Sequence, residues 1–242
     1  MTQTNESSLS RRDFLKLSGV GLAAAVVLPP FETIRKYFRP LPQNKEFSTE
    51  SEFEQKITAT QIPVIEYHYP GYSAGGVEIP NDLFISQMDF LKEGNFKTLT
   101  DTELVSFLDN TVPFPAKSVA LRIDQGGPAH FSEFEAMIEE IKKRGFHATV
   151  FVTTGEQFTT DNWDKLLSWA KEGVISLGSH SVTHPDFRNI SNDQAINEAQ
   201  NSKNYIETRL AQAGLSKKVI GFAFPLDSVP DNTDFLKIAG YK

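Results

Sequence analysis

Val174-Ile175-Ser176-Leu177-Gly178-Ser179-His180-Ser181-Val182-Thr183-His184-Pro185 begins as a short β-rich run and ends in two histidines four residues apart. The spacing predicts a strand over 174–177 whose C-terminal end, from Gly178 onward, carries the imidazoles. Upstream, Trp163, Leu166, Leu167 and Ala170 recur at helical spacing over 162–171. Downstream, a long polar-faced helix is expected over 192–213, stopped by Gly214. Further strands are expected at 62–67, 97–99, 118–123, 148–153 and 219–224. Helices are expected at 81–94, 101–109 and 131–144, the last with Phe134, Ile138 and Ile141 on one face. Short strands alternating with helices give an α/β domain with a mainly parallel sheet, of barrel-like type. In such domains the chemistry gathers at the C-terminal ends of the strands.

Three strand ends carry residues suited to chemistry. Leu121-Arg122-Ile123-Asp124-Gln125-Gly126-Gly127 leads from a strand into an acid, an amide and two glycines. Asp124 there can serve as a general base, as a metal ligand, or only as the cap of the next helix. His180 and His184 can face one ion, since zinc and its neighbours favour neutral imidazole nitrogens, or they can be unrelated histidines of a polar loop. Phe222-Ala223-Phe224-Pro225-Leu226-Asp227 ends a strand at a proline, where a backbone N–H just after the turn could serve an oxyanion.

The N-terminus reads as an address. Ser10-Arg11-Arg12-Asp13-Phe14-Leu15-Lys16 precedes an apolar run to Leu28 and then Pro29-Pro30, a charged region followed by a short hydrophobic one. The organisation expected is a signal or signal anchor at 1–30, a polar linker at 31–61 with one short helix near 52–57, and a folded domain at 62–242. No Ala-x-Ala cleavage site follows the apolar run, which leaves membrane anchoring by the N-terminal segment open. A net charge of −7 argues against nucleic acid as a partner, because that affinity comes from clustered Lys and Arg. The absence of cysteine excludes disulfides and thiolate metal sites, so any metal must be held by nitrogen or oxygen.

Taken together, these segments resemble the polysaccharide deacetylases of the NodB-homology type, also called family-four carbohydrate esterases. Members carry Thr-Phe-Asp-Asp-Gly, His-Ser/Thr-x-x-x-His and a proline-tyrosine turn at the three strand ends. His180-Ser181-Val182-Thr183-His184 matches the second of these in full. Ile62-Pro63-Val64-Ile65-Glu66-Tyr67-His68 is similar to the opening strand of the exopolysaccharide deacetylase branch, and Ala148-Thr149-Val150-Phe151 is similar to the family's Ala-Thr-Phe-Phe strand. The N-terminal segment resembles a twin-arginine translocation signal.

The resemblance implies a distorted (β/α) barrel acting as a metal-dependent hydrolase of C–N bonds in N-acetyl groups on amino-sugar polysaccharide. It implies Asp124 as catalytic base and His180, His184 and Gln125 at the positions of ligands to a divalent metal, most commonly zinc. Phe224, Pro225 and Leu226 fall at the substrate and oxyanion turn. The expected partners are an acetylated amino-sugar polysaccharide and the twin-arginine translocase. The expected location is periplasmic, cell-surface or extracellular.

The chain departs from the family pattern at several points. Gln125 stands where the family has its ligand aspartate, Leu226 where it has an aromatic residue, and Asp227 where it has a glycine. Ala223 stands where an arginine often precedes the proline. The sequence ends at Lys242, before the family's last strand and its late histidine, so the domain is expected to be incomplete at its C-terminal end. A rival expectation follows from Gln125: a catalytically impaired, carbohydrate-binding relative. His68 and His130 are the remaining histidines that could approach the site, with a structural or surface role the favoured expectation for each.

Overall fold

The computed structural model describes residues 59, 61–68, 79–216 and 218–242. The expected signal and the short helix near 52–57 lie outside them. β1 (Val64–Tyr67), β2 (Lys97–Thr98), β3 (Ser118–Gly126), β4 (Ala148–Val152) and β5 (Ile175–Ser179) alternate with helices α1 (Asn81–Glu93), α2 (Asp101–Leu108), α3 (Phe131–Lys143) and α4 (Thr160–Glu172). After β5 come α5 (Asn192–Gln212), a 3-10 turn (Pro225–Asp227) and α6 (Asp234–Ile238). Every strand pair is parallel, in the order β1-β3-β4-β5, with β2 paired to the first two residues of β3. Among the described residues the sheet is open, with β1 at one edge and a single bridge beyond β5 at the other.

The periodicity of the sequence accounts for this layering. α1 buries Phe84, Met88 and Leu91, and α3 buries Phe134, Met137, Ile138 and Ile141, each set at helical spacing on one face. β4 is buried at all five positions, as expected of a central parallel strand covered on both sides. Capping boxes fix three helix starts: Thr100 with Glu103, Thr159 with Asn162, and Ser191 with Gln194. Trp169 and Phe134 meet edge to face with ring centroids 5.9 Å apart, joining α4 to α3. Ala59, Ile62, Leu99, Leu104, Phe107, Phe114 and Ala120 form a second, smaller cluster.

Two expectations from the sequence are corrected. β3 does not stop at Ile123 but runs to Gly126, with a register shift against β4 between Asp124 and Gly126. Such an irregularity re-aims side chains at a strand end. The strand expected over 219–224 is reduced to one parallel bridge, Ser179 to Phe222. Side chains of α5 satisfy Val219 in place of a ladder, Glu207 accepting from its N–H at 3.1 Å and Lys203 donating to its carbonyl at 2.7 Å. No described helix is long and apolar enough to cross a membrane.

Candidate active site

The C-terminal ends of β1, β3 and β5, together with the turn after the 222 bridge, converge on one cleft. His180 follows β5 directly and is anchored by its own N–H, which donates to Val152 O of β4 at 3.0 Å. Its Nδ1 lies 3.1 Å from Ala223 O. A carbonyl can only accept, so Nδ1 carries the proton and Nε2 keeps its lone pair. Burial, and next the His184 imidazole, push His180 down to about 4, although the Ala223 carbonyl pulls the other way. The ring is therefore neutral at physiological pH. The His184 ring centroid is 4.8 Å from that of His180.

The loop between the two histidines is held in an uncommon conformation. Ser181 and His184 have φ of 69° and 58°, a region that side chains other than glycine seldom occupy. The hydrogen bonds that impose it run to three places. Val182 O accepts from Gly155 N–H at 2.8 Å, His184 N–H donates to Ser181 Oγ at 3.0 Å, and Glu198 of α5 accepts from Val182 and Thr183. Gly155 is required there, because a Cβ would lie 2.4 Å from Val182 O.

Asp124 stands at the irregular end of β3, its Oδ2 3.8 Å from His180 Nδ1. It is 7% exposed, and its Oδ1 is buried without a hydrogen-bond partner. Burial, and then the negative charges of Glu66 and Asp227, raise its pKa well above the usual carboxylate range, against the opposing pull of Arg122. The next residue, Gln125, donates from Nε2 to Gly127 O at 2.8 Å and Ala129 O at 3.3 Å. These bonds leave Gln125 Oε1 as a second buried oxygen with no partner. At the proline turn, Leu226 and Asp227 have φ of 58° and 49°. Leu226 presents an exposed side chain. Pro225 is buried, and the Phe224 ring packs edge to face against Phe187, Phe222 and Phe235.

The structure thus brings Asp124, His180 and His184 together and sets the 223–227 turn beside them. It also adds two residues from the β1 side. Glu66 and His68 lie at the end of β1, and one donor atom from each lies within 4.8 Å of the other and of an Asp124 oxygen. Burial and Asp227 raise the Glu66 pKa, while His68 and Arg122 oppose the rise. The signal that could have pointed to Glu66 is its position as the acid in an otherwise apolar strand, two residues before a histidine. His130, by contrast, stands outside the cleft at the start of α3, 3.8 Å from Glu133.

The residues present fit a divalent cation. The His180 imidazole is neutral with its proton on Nδ1, the His184 ring lies beside it, and Asp124 Oδ1 and Gln125 Oε1 are buried without partners, nitrogen and oxygen donors of the kinds that zinc and its neighbours accept. A parallel α/β sheet with an acid and paired imidazoles at its strand ends defines a hydrolase-type cleft.

Comparison with known proteins agrees with that class. Residues 111–242 match the polysaccharide deacetylase family, and the chain belongs to it. Residues 8–28 match the twin-arginine translocation pathway signal sequence, which directs export across the membrane. Among solved structures, the chain is similar to the Streptococcus pyogenes deacetylase PplD in complex with acetate, at 26% identity and a TM-score of 0.60, covering 75% of this chain and 80% of that one. IcaB from Ammonifex degensii shares the fold at 18% identity and a TM-score of 0.60, covering 74% of this chain and 81% of that one. A de-N-acetylase from Aggregatibacter actinomycetemcomitans also shares it, at 15% identity and a TM-score of 0.60, over 74% and 85% of the two chains. No curated protein matches the chain.

Proposed function

We propose that this chain hydrolyses N-acetyl groups of an exported or cell-surface amino-sugar polysaccharide. In this reading His180 and His184 hold a divalent ion, zinc by the donor set, and the Gln125 amide oxygen stands beside them. The observation that carries the reading is Asp124, a buried carboxylate with a raised pKa and an unpartnered oxygen, 3.8 Å from a neutral imidazole. A divalent ion in this cleft would polarise the acetyl carbonyl and make water a better nucleophile.

The chain's own residues supply the rest. Asp124 takes the proton as the water oxygen bonds to the carbonyl carbon. Charge developing on the carbonyl oxygen is met by the Leu226 N–H, at the left-handed turn after Pro225. When the C–N bond breaks, Asp124 returns the proton to the nitrogen, so that acetate and a free amine leave. The acetate bound to PplD is the product expected of such a reaction. On this reading the translocase delivers a folded protein, and the glycan is met outside the cytoplasm.

The test is acetate release from a partially N-acetylated glucosamine polymer by the zinc-loaded full chain. Replacing Asp124 by Asn should lower the rate by about 10²-fold to 10⁴-fold, the usual worth of a general base. No acetate from the parent on several acetylated glycans would sink the proposal. One observation favours a second reading, that of a carbohydrate-binding relative without turnover: Gln125 is neutral, and its amide nitrogen is fixed by two carbonyls. Acetate release that appears only in Gln125→Asp would support that reading.

A further inference from the structure

The loop that carries His184 and the turn that carries Leu226 are distant in sequence, yet they are fastened to each other two residues beyond each of those positions. Ser228 is fully buried, and its hydroxyl donates to Asp186 Oδ1. The same hydroxyl oxygen accepts from Arg188 Nε at 3.0 Å and from the Arg188 N–H at 3.2 Å. Its single proton and both its lone pairs are therefore in use. Asp186 is held in turn, its Oδ1 accepting also from the Arg188 N–H at 3.0 Å and its Oδ2 from Asn189 Nδ2 at 2.7 Å. Between Asp186 and Arg188, the Phe187 ring stacks on Phe235 with centroids 5.7 Å apart and meets Phe222 and Phe224 edge to face.

We infer that Ser228 and Asp186 are positioning residues, whose hydrogen bond fixes the Leu226 N–H in place relative to the loop of His180 and His184. This inference rests on the deacetylase reading and assigns roles to two residues outside its reacting groups. The need for such a fastening is conformational. Leu226 and Asp227 have φ of 58° and 49°, which residues other than glycine keep only where the surroundings impose it. Within the turn, the Ser228 N–H donates to Pro225 O at 3.0 Å and the Val229 N–H to Asp227 O at 3.0 Å. Those bonds close the turn on itself and do not aim it at the cleft. The Ser228 hydroxyl does, because Asp186 follows His184 by two residues as Ser228 follows Leu226. The histidine loop has further fastenings, from the His184 N–H to Ser181 Oγ at 3.0 Å and from Val182 and Thr183 to Glu198. Loss of the Ser228–Asp186 bond should therefore let the oxyanion turn drift while both imidazoles stay in place.

The test is steady-state acetate release from a partially N-acetylated glucosamine polymer by the zinc-loaded full chain. Ser228→Ala and Asp186→Ala should each lower kcat by about tenfold to a hundredfold, up to what a misplacement of about 1 Å costs, with KM unchanged. Zinc affinity, read by equilibrium dialysis, should stay at the parental value in both. Asp186→Asn keeps an oxygen that can accept from Ser228 and should recover most of the rate. The double alanine variant should be no slower than either single one, because both changes remove the same bond. The Asp186 side chain is 30% exposed, so Asp186→Ala reports on the fastening even where the change at buried Ser228 unfolds the chain. Parental kcat in Asp186→Ala, a raised KM at unchanged kcat, zinc binding lost in step with the rate, or losses that multiply in the double variant would each overturn the inference and leave the deacetylase reading standing. A parent that releases no acetate removes that reading and this inference with it.

Discussion

Glu198 fastens the backbone at Thr183: its Oε2 accepts from the Thr183 N–H at 2.9 Å and from the Val182 N–H at 2.8 Å, and its Oε1 accepts from the Thr183 hydroxyl at 2.8 Å. One carboxylate on α5 thus holds the segment between the two histidines.

Replacing Glu198 by Ala should therefore do two things at once. Hydrogen bonds to a charged group are worth about 1.5–3 kcal/mol each, and strand-end N–H groups left without an acceptor add to the loss, so stability should fall by about 2 kcal/mol or more. Zinc affinity should fall with it, because His184 depends on this loop for its left-handed backbone. Urea denaturation and metal dialysis measure the two effects. A variant with parental stability and parental affinity would show that the carboxylate only decorates the loop.

Gly178 should tolerate no side chain. It pairs in register with Phe151, and a Cβ built on it would stand 2.4 Å from Phe151 Cε1. Phe151 is fully buried and lies beneath Arg122, so the ring has nowhere to go. Gly178→Ala should cost about 1–3 kcal/mol in overpacking, read by urea denaturation. Because His180 follows two residues later, the same variant should also weaken zinc binding. An unchanged unfolding midpoint would mean that β4 and β5 can part more easily than their packing suggests.

Much of this fold was legible in the sequence, and the parts that were not have physical causes. α1, α3 and α4 showed in apolar residues at helical spacing, and α5 in a long polar-faced run stopped by a glycine, signals that are local and survive in any tertiary setting. The strand expected over 219–224 has the right composition, but its backbone groups at Val219 are taken by Glu207 and Lys203 of α5. That competition is between distant residues and leaves no local trace. The same holds for the cleft. His180 and His184 announce themselves by spacing within one loop, whereas Glu66 and His68 join Asp124 only through the β1–β3 register. A neighbour across a parallel sheet is separated by a whole crossover, so no reading of adjacent residues could pair them.

The start of α2 should make stability depend on pH below neutrality. Burial favours the neutral form of Glu103, but hydrogen bonds from Lys97 and Thr100 and the charge of Lys97 outweigh it, and the net effect is a lowered pKa. A carboxyl whose pKa is lower folded than unfolded stabilises the fold above its unfolded value, about 4.3. That contribution is lost as pH falls through the folded value. Glu103→Gln keeps an amide that can still fill the third position of the capping box, so it removes the charge with little else. The parent should melt above the variant at about pH 6, and the difference should vanish by about pH 3. A difference that persists in acid would assign the effect to cap geometry rather than to charge.

Arg11 and Arg12 lie in the segment, residues 8–28, that matches the twin-arginine signal. If export needed only positive charge before an apolar run, lysine would serve as well as arginine there, since both are cationic at neutral pH. A receptor that reads two planar guanidinium groups would reject it, because lysine offers a point charge without the fork of donors. Replacing both arginines by lysine should therefore hold the protein in the cytoplasm while leaving its folding unchanged. Cell fractionation followed by immunoblotting measures this, with Lys16→Gln as a control that removes charge and keeps both arginines. Undiminished export of the double-lysine variant would transfer the segment to a route that reads charge alone. The chain would then have to cross the membrane unfolded and fold on the far side.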